Sequence, residues 1–112
     1  MTVTGMYRLD LNKADLRQAN LSGASLTGAS LNEAKLADAN LTEANLTGAS
    51  LNGANLNKAD LRKANLTGAS RNGASVNGAY VDESNLNVAN LTGDSLNWAY
   101  LGRPLIHTSY RK

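Results

Sequence analysis

Residues 19–56 read ANLSGASLTGASLNEAKLADANLTEANLTGASLNGANL, and every fifth residue from Leu21 to Leu56 is Leu. Extended in both directions, the register from Leu11 to Leu101 has 19 positions, of which 16 are Leu. Its exceptions are Arg71, Val76 and Val81. A second register two residues earlier runs from Ala14 to Ala99 over 18 positions and holds Ala at 16 of them; Ser84 and Asp94 interrupt it. A period of five matches neither an α-helix at 3.6 nor a flat strand at 2, which leaves a repeat architecture.

Side chains two apart on an extended segment point to the same side. If the chain turns a corner every five residues, four such segments close a square coil with Leu and Ala inside. Successive coils then stack at about 4.8 Å through backbone hydrogen bonds. Eight of the ten glycines, at 23, 28, 48, 53, 68, 73, 78 and 93, lie two residues after the Leu register. That is the third position of a four-residue turn, where a type II turn requires positive φ. Corners with Lys, Glu or Gln in that place are expected to use another turn type.

The quoted stretch resembles the pentapeptide repeat family, whose motif is approximately Ala-(Asp/Asn)-Leu-x-x, and the likeness extends over residues 9–101. The resemblance implies an all-β fold, a right-handed quadrilateral β-helix with about 20 residues per coil and between four and five coils. Residues 1–8 are then an N-terminal cap and residues 102–112 a C-terminal tail or cap. Met6 keeps the Leu register and Leu9 replaces the small Ala, while Pro104 cannot donate to a ladder and Leu105 and Ile106 are available to fold over the last coil. The expected core is Leu11, Leu16, Leu21, Leu26, Leu31, Leu36, Leu41, Leu46, Leu51, Leu56, Leu61, Leu66, Val76, Val81, Leu86, Leu91, Leu96 and Leu101.

Residues one full coil apart should stack, so the outward positions form columns. Glu43, Lys63, Glu83 and Arg103 alternate in sign up one of them, and Lys13 precedes Glu33, Asp15 Lys35, Asp38 Lys58 and Arg62 Asp82. Such cross-coil pairs contribute roughly 0.2–1 kcal/mol each when exposed and favour one register. Asn12, Asn32, Asn52 and Asn72 form a candidate ladder of stacked amides, and Thr27, Thr47 and Thr67 another.

Composition narrows the function. The chain of 112 residues has no Cys and a single His107, so no thiolate or imidazole cluster is available for a metal, and no cofactor is expected. No nucleophile, base and oxyanion donor share a motif, which points away from catalysis and from a small-molecule substrate. No apolar run approaches the roughly 18 residues of a membrane span, and no leader pattern is evident, so a cytoplasmic protein is expected. The 11 basic and 9 acidic residues give a net charge of +2, but their columns mix the signs, and nucleic-acid binding needs an unpaired basic stripe. The Asn-Leu-Ser/Thr sequences at Asn20, Asn40, Asn45, Asn65 and Asn90 are the repeat's own grammar. Three aligned Thr make a short array beside those of ice-binding β-helices.

The binding signal is aromatic. Tyr80 and Tyr100 share an outward column, Trp98 stands at the preceding corner, and Tyr110 lies in the tail; clustered exposed aromatics are favoured at interfaces. The sequence therefore suggests a non-catalytic interaction or scaffold protein, bacterial, with an unknown protein partner or a homodimer formed through the C-terminal end. The family resemblance adds an alternative, a DNA mimic that protects DNA gyrase or topoisomerase; the mixed charge columns depart from the strongly negative surface this needs. Arg71 breaks the Leu register and Asp94 the Ala register. One reading makes them a buried ion pair; the other turns Arg71 outward through a bulge.

Overall fold

The computed structural model describes residues 9–81 and residue 84. Its β-bridges are all parallel, and each joins a residue to the one four segments on, from Asp10↔Ser30 to Asp60↔Tyr80. Each coil is thus made of four segments of five. The bridge residue immediately precedes each Leu-register position, and a turn follows it.

Backbone hydrogen bonding explains the five-residue unit. Around Leu31, the Leu N–H donates to Ser50 O (2.7 Å), the Glu33 N–H to Asn52 O (2.8 Å), the Ala34 N–H back across the corner to Leu31 O (3.1 Å), and the Lys35 N–H to Ala14 O (2.8 Å). Four of the five donors in a unit are therefore taken by backbone. The fifth, at the residue after Leu, depends on side chains. In Asn40-Leu41-Thr42, Asn40 Oδ1 accepts from the Thr42 N–H at 3.0 Å, and Asn45, Asn55 and Asn65 do the same for Thr47, Asn57 and Thr67. These are Asx turns, which satisfy a donor that the coil's own geometry leaves over.

Inside, the registers pack into one continuous core. Leu31, Leu36, Leu41, Leu46, Leu51, Leu56, Leu61 and Leu66, with Ala29 to Ala79 between them, are essentially inaccessible, and Leu26, Val76 and Val81 join them. Leu11, Leu16 and Leu21, in the first described coil, are only partly buried against this cluster. Leu9 is 53% exposed. Ser84 substitutes for Ala at no exposure because its hydroxyl donates to Val81 O at 2.6 Å. Residues 1–8 and the core positions Leu86, Leu91, Leu96 and Leu101 lie outside the described residues.

Two sequence expectations need correction. Corners without glycine keep the left-handed backbone: Lys13, Gln18, Glu33, Asp38, Glu43, Lys58 and Lys63 have φ of 61–63°, beside 69–72° at the corner glycines. Every corner must supply the same inter-coil donor, as Glu43 N–H to Arg62 O (3.0 Å) and Gly48 N–H to Thr67 O (2.9 Å) illustrate. The ladder thus imposes one geometry whatever the side chain. Left-handed φ costs an L-residue roughly 1–2 kcal/mol, partly offset by the greater unfolded-state entropy of glycine. Glu43→Gly is accordingly expected to raise stability by about 0.5–1 kcal/mol, measured by urea unfolding; unchanged or lower stability would show that the Glu43 side chain outweighs its backbone strain.

The second correction concerns charge. Lys13 does face Glu33 one coil on, at 4.0 Å with both side chains exposed. Asp15, however, turns to Arg17 within its own segment, with Nη2–Oδ2 at 2.6 Å, and Lys35 acts on it only as a neighbouring charge. A partner two residues away is held by the same rigid corner, so less side-chain entropy is lost than in reaching across coils.

Candidate protein interface

Tyr80 is held at the outer surface by the segment around Asp60, one coil earlier. Its N–H donates to Ala59 O (2.9 Å) and its carbonyl accepts from Leu61 N–H (2.7 Å), which pins its backbone beside Asp60. With Ala79 directed inward and buried, the adjacent Tyr80 side chain must point out, and it is 43% exposed. Among the described residues, Tyr80 and Leu9 are the large apolar side chains left exposed.

The ring is not isolated. Arg62 lies over it, with the guanidinium carbon 5.6 Å from the ring centroid. Asp60 fixes that guanidinium in a fork: Nε to Oδ1 at 2.8 Å and Nη2 to Oδ2 at 2.5 Å. Asp60 also accepts from the Arg62 backbone N–H at 3.2 Å. Hydrogen bonding to the Arg62 side chain is the main reason that the Asp60 carboxyl is held below the usual carboxylate range; partial burial opposes it. At the preceding corner, the Lys58 stem packs against Gly78, where an added Cβ would come within 3.3 Å of Lys58 Cγ. The result is an amphipathic platform in which an aromatic face, a guanidinium plane and a carboxylate lie together. An exposed cation–π contact contributes roughly 0.5–1 kcal/mol, which favours this arrangement over open rotamers by a few-fold.

Asp15 and Arg17 repeat the Asp-x-Arg fork further down the coil, at the rim of an open groove of about 440 Å³ that Gln18, Ala37 and Asp38 complete. There the hydrogen bonds from Arg17 hold the Asp15 carboxyl at about 2. No aromatic among the described residues covers this fork, and its lining is polar, unlike the mostly apolar walls of small-molecule pockets.

Arg71 belongs to the core rather than to this surface. It is 2% exposed, which excludes the outward bulge. Trp98, Tyr100, Tyr110 and Asp94 lie outside the described residues. Charge stacking paired Arg62 with Asp82, which lies outside the described residues; the signal for its contacts with Asp60 and Tyr80 was Asp60-Leu61-Arg62 lying one coil before Tyr80. Among the described residues, no three His, Cys, Asp or Glu side chains are grouped so that they could hold a metal ion, and no helix is long and apolar enough to cross a membrane.

The fold has counterparts in solved structures. That of a pentapeptide repeat protein, Rfr23, from the cyanobacterium Cyanothece 51142 shares 34% identity, covering 96% of this chain and 68% of its own, with a TM-score of 0.65. A pentapeptide repeat protein from the Arabidopsis thaliana thylakoid lumen shares 31% identity over 79% of this chain and 65% of its own, also with a TM-score of 0.65. At 17% identity and a TM-score of 0.53, over 85% of this chain and 57% of its own, the plasmid-mediated fluoroquinolone resistance protein QnrB1 shares the fold. No curated protein sequence matches the chain. The pentapeptide repeat profile matches residues 10–48 and 39–70 with eight copies. A five-residue unit, parallel bridges between residues four units apart and this profile agree: the chain belongs to the pentapeptide repeat family.

Proposed function

We propose that the protein is a non-catalytic interaction or scaffold module whose docking surface centres on Tyr80, continues toward Trp98, Tyr100 and Tyr110, and engages a protein partner or a second copy of the chain. The coil is taken as right-handed, as in the family, with between four and five coils over residues 9–101. The observation that carries the reading is the exposed Tyr80 ring beneath Arg62, itself forked to Asp60. Tyr and Arg are the residue types that dominate binding energy at interfaces, and side chains already fixed lose little entropy on docking. A cytoplasmic, bacterial setting remains part of the proposal.

Mimicry of DNA is the weaker reading. It requires a continuous negative face, whereas the described surface sets Lys13 against Glu33, Arg17 against Asp15 and Arg62 against Asp60.

Analytical ultracentrifugation tests the proposal, together with pull-down from a bacterial lysate. Tyr80→Ala and Trp98→Ala are each expected to weaken self-association or partner capture by about tenfold or more, as truncation of a central aromatic costs roughly 2 kcal/mol. Unchanged association in both variants, with thermal unfolding showing them folded, overturns the docking surface.

A further inference from the structure

The core cannot by itself choose its register. Leu and Ala recur every five residues on all four sides, so the inward residues do not tell one side of the coil from the next. Corner geometry favours four sides, and outward side chains that bond across coils add a preference for a step of four segments over three or five.

We propose that a hydrogen-bonded Asn–Ser ladder running up one corner is a conformational device that secures this register. It supplies the same fifth donor that Asx turns satisfy elsewhere, but from the neighbouring coil. Asn12 Oδ1 accepts from the Asn32 N–H (2.8 Å) and from Ser30 Oγ (2.5 Å). Asn32 Oδ1 accepts from the Asn52 N–H (2.9 Å) and Ser50 Oγ (2.6 Å), and Asn52 Oδ1 from the Asn72 N–H (2.9 Å) and Ser70 Oγ (2.8 Å). Within a coil, Asn52 Nδ2 donates to Ser50 Oγ (3.3 Å), which links one rung to the next. Asn57 clamps the Asn77 N–H (2.9 Å) and Ser75 Oγ (2.5 Å) in the same way on the adjacent corner.

The two modes are complementary along the sequence. Where the residue before Leu is Asn or Asp, it caps its own corner. Where it is Ser30, Ser50, Ser70 or Ser75, whose side chain is shorter, an Asn stands 18 residues earlier and caps the corner from the coil below. Among the described corners, Thr27 and Ala37 receive neither bond, and they are the corners that follow Ser25 and Lys35 without an Asn at the matching position below. An Asx turn is indifferent to register because it lies within one segment. The clamp is not: a slip of one segment would carry Asn32 Oδ1 to Thr47 or Asn57, whose N–H groups Asn45 and Asn55 already occupy, and would leave the Asn52 N–H unmatched.

Hydrogen exchange read by NMR tests this. In Asn32→Ala, exchange of the Asn52 amide should quicken about tenfold or more while the Asn72 amide, clamped by Asn52, keeps its protection. Adding Ser50→Asn should restore protection at Asn52, because the new side chain can cap its own corner. Register itself is read from the fourfold variant Asn12/Asn32/Asn52/Asn57→Ala against a control, Asn20/Asn40/Asn45/Asn55→Ala, that removes as many caps of the Asx-turn kind. The ladder variant should give several sets of amide resonances, or no folded spectrum, where the control gives one folded set. Equal behaviour of the two fourfold variants, or an Asn52 amide indifferent to Asn32→Ala, overturns the proposal.

Discussion

Arg71→Leu is expected to destabilise the protein by about 3–5 kcal/mol, even though it restores the residue that the register otherwise prefers. The side chain it replaces is 2% exposed, in the same inward column as Leu31 and Leu51. A guanidinium is kept at such a place when an opposite charge is buried with it, and Asp94 is the other charged residue of the two inward registers. It stands three residues past Leu91, which the coil arithmetic stacks on Arg71. We propose that the two form a pair, so that replacing Arg71 alone strands a carboxylate. Asp94→Ala should cost a similar amount, whereas Arg71→Leu/Asp94→Ala should recover most of the loss, as one double-mutant cycle by urea unfolding would measure. Additive losses in the double variant would contradict the pairing.

Leu51→Ala is the other large effect, with about 2–5 kcal/mol lost. Leu51 is completely buried in the cluster that holds Leu31, Ala34, Ala54 and the facing registers, and the coils on both sides are held by backbone ladders that resist collapse into a cavity. Leu16→Ala, at a partly buried position of the first described coil, should cost less than half as much. The comparison reports the one-dimensional character of the solenoid, in which a residue's contribution depends on whether it has coils on both sides. Equal losses at Leu16 and Leu51, measured by the same unfolding curves, would mean that the terminal coil is as tightly packed as the interior.

Much of this architecture was legible because a fixed period is preserved in composition. Leu every five residues, Ala two before it and Gly two after it define side, interior and corner with little reference to distant parts of the chain. Local rules failed where one geometry overrides side-chain preference. Lys58 and Glu43 take the left-handed backbone because the inter-coil bond at each corner leaves them no alternative. The Asp15–Lys35 column was a reasonable expectation from stacking, but a fork with Arg17 two residues away is reached with less ordering. The Asn column was visible, yet its chemistry was not: the amide oxygens reach backbone N–H groups and serine hydroxyls of the next coil rather than other amides. At the proposed docking surface, Tyr80 could be placed outward from the alternation alone, while the stacked Arg62 required knowing which way a long side chain folds.

The four-segment coil underlies every one of these assignments, since it decides which residues share a column. The native chain has no Cys, so an engineered pair probes it without background. Asn45 and Asn65 are bridge partners on adjacent coils, and neighbouring strands place Cα atoms at about 5 Å, within disulfide range. Under mild oxidation, Asn45→Cys/Asn65→Cys should form an intramolecular disulfide rapidly and in high yield. Asn45→Cys/Asp60→Cys and Asn45→Cys/Ser70→Cys, one segment short of a full coil and one segment beyond it, should not. Efficient crosslinking at either of those spacings, or failure of the 45/65 pair in folded protein, would contradict the coil and the columns built on it.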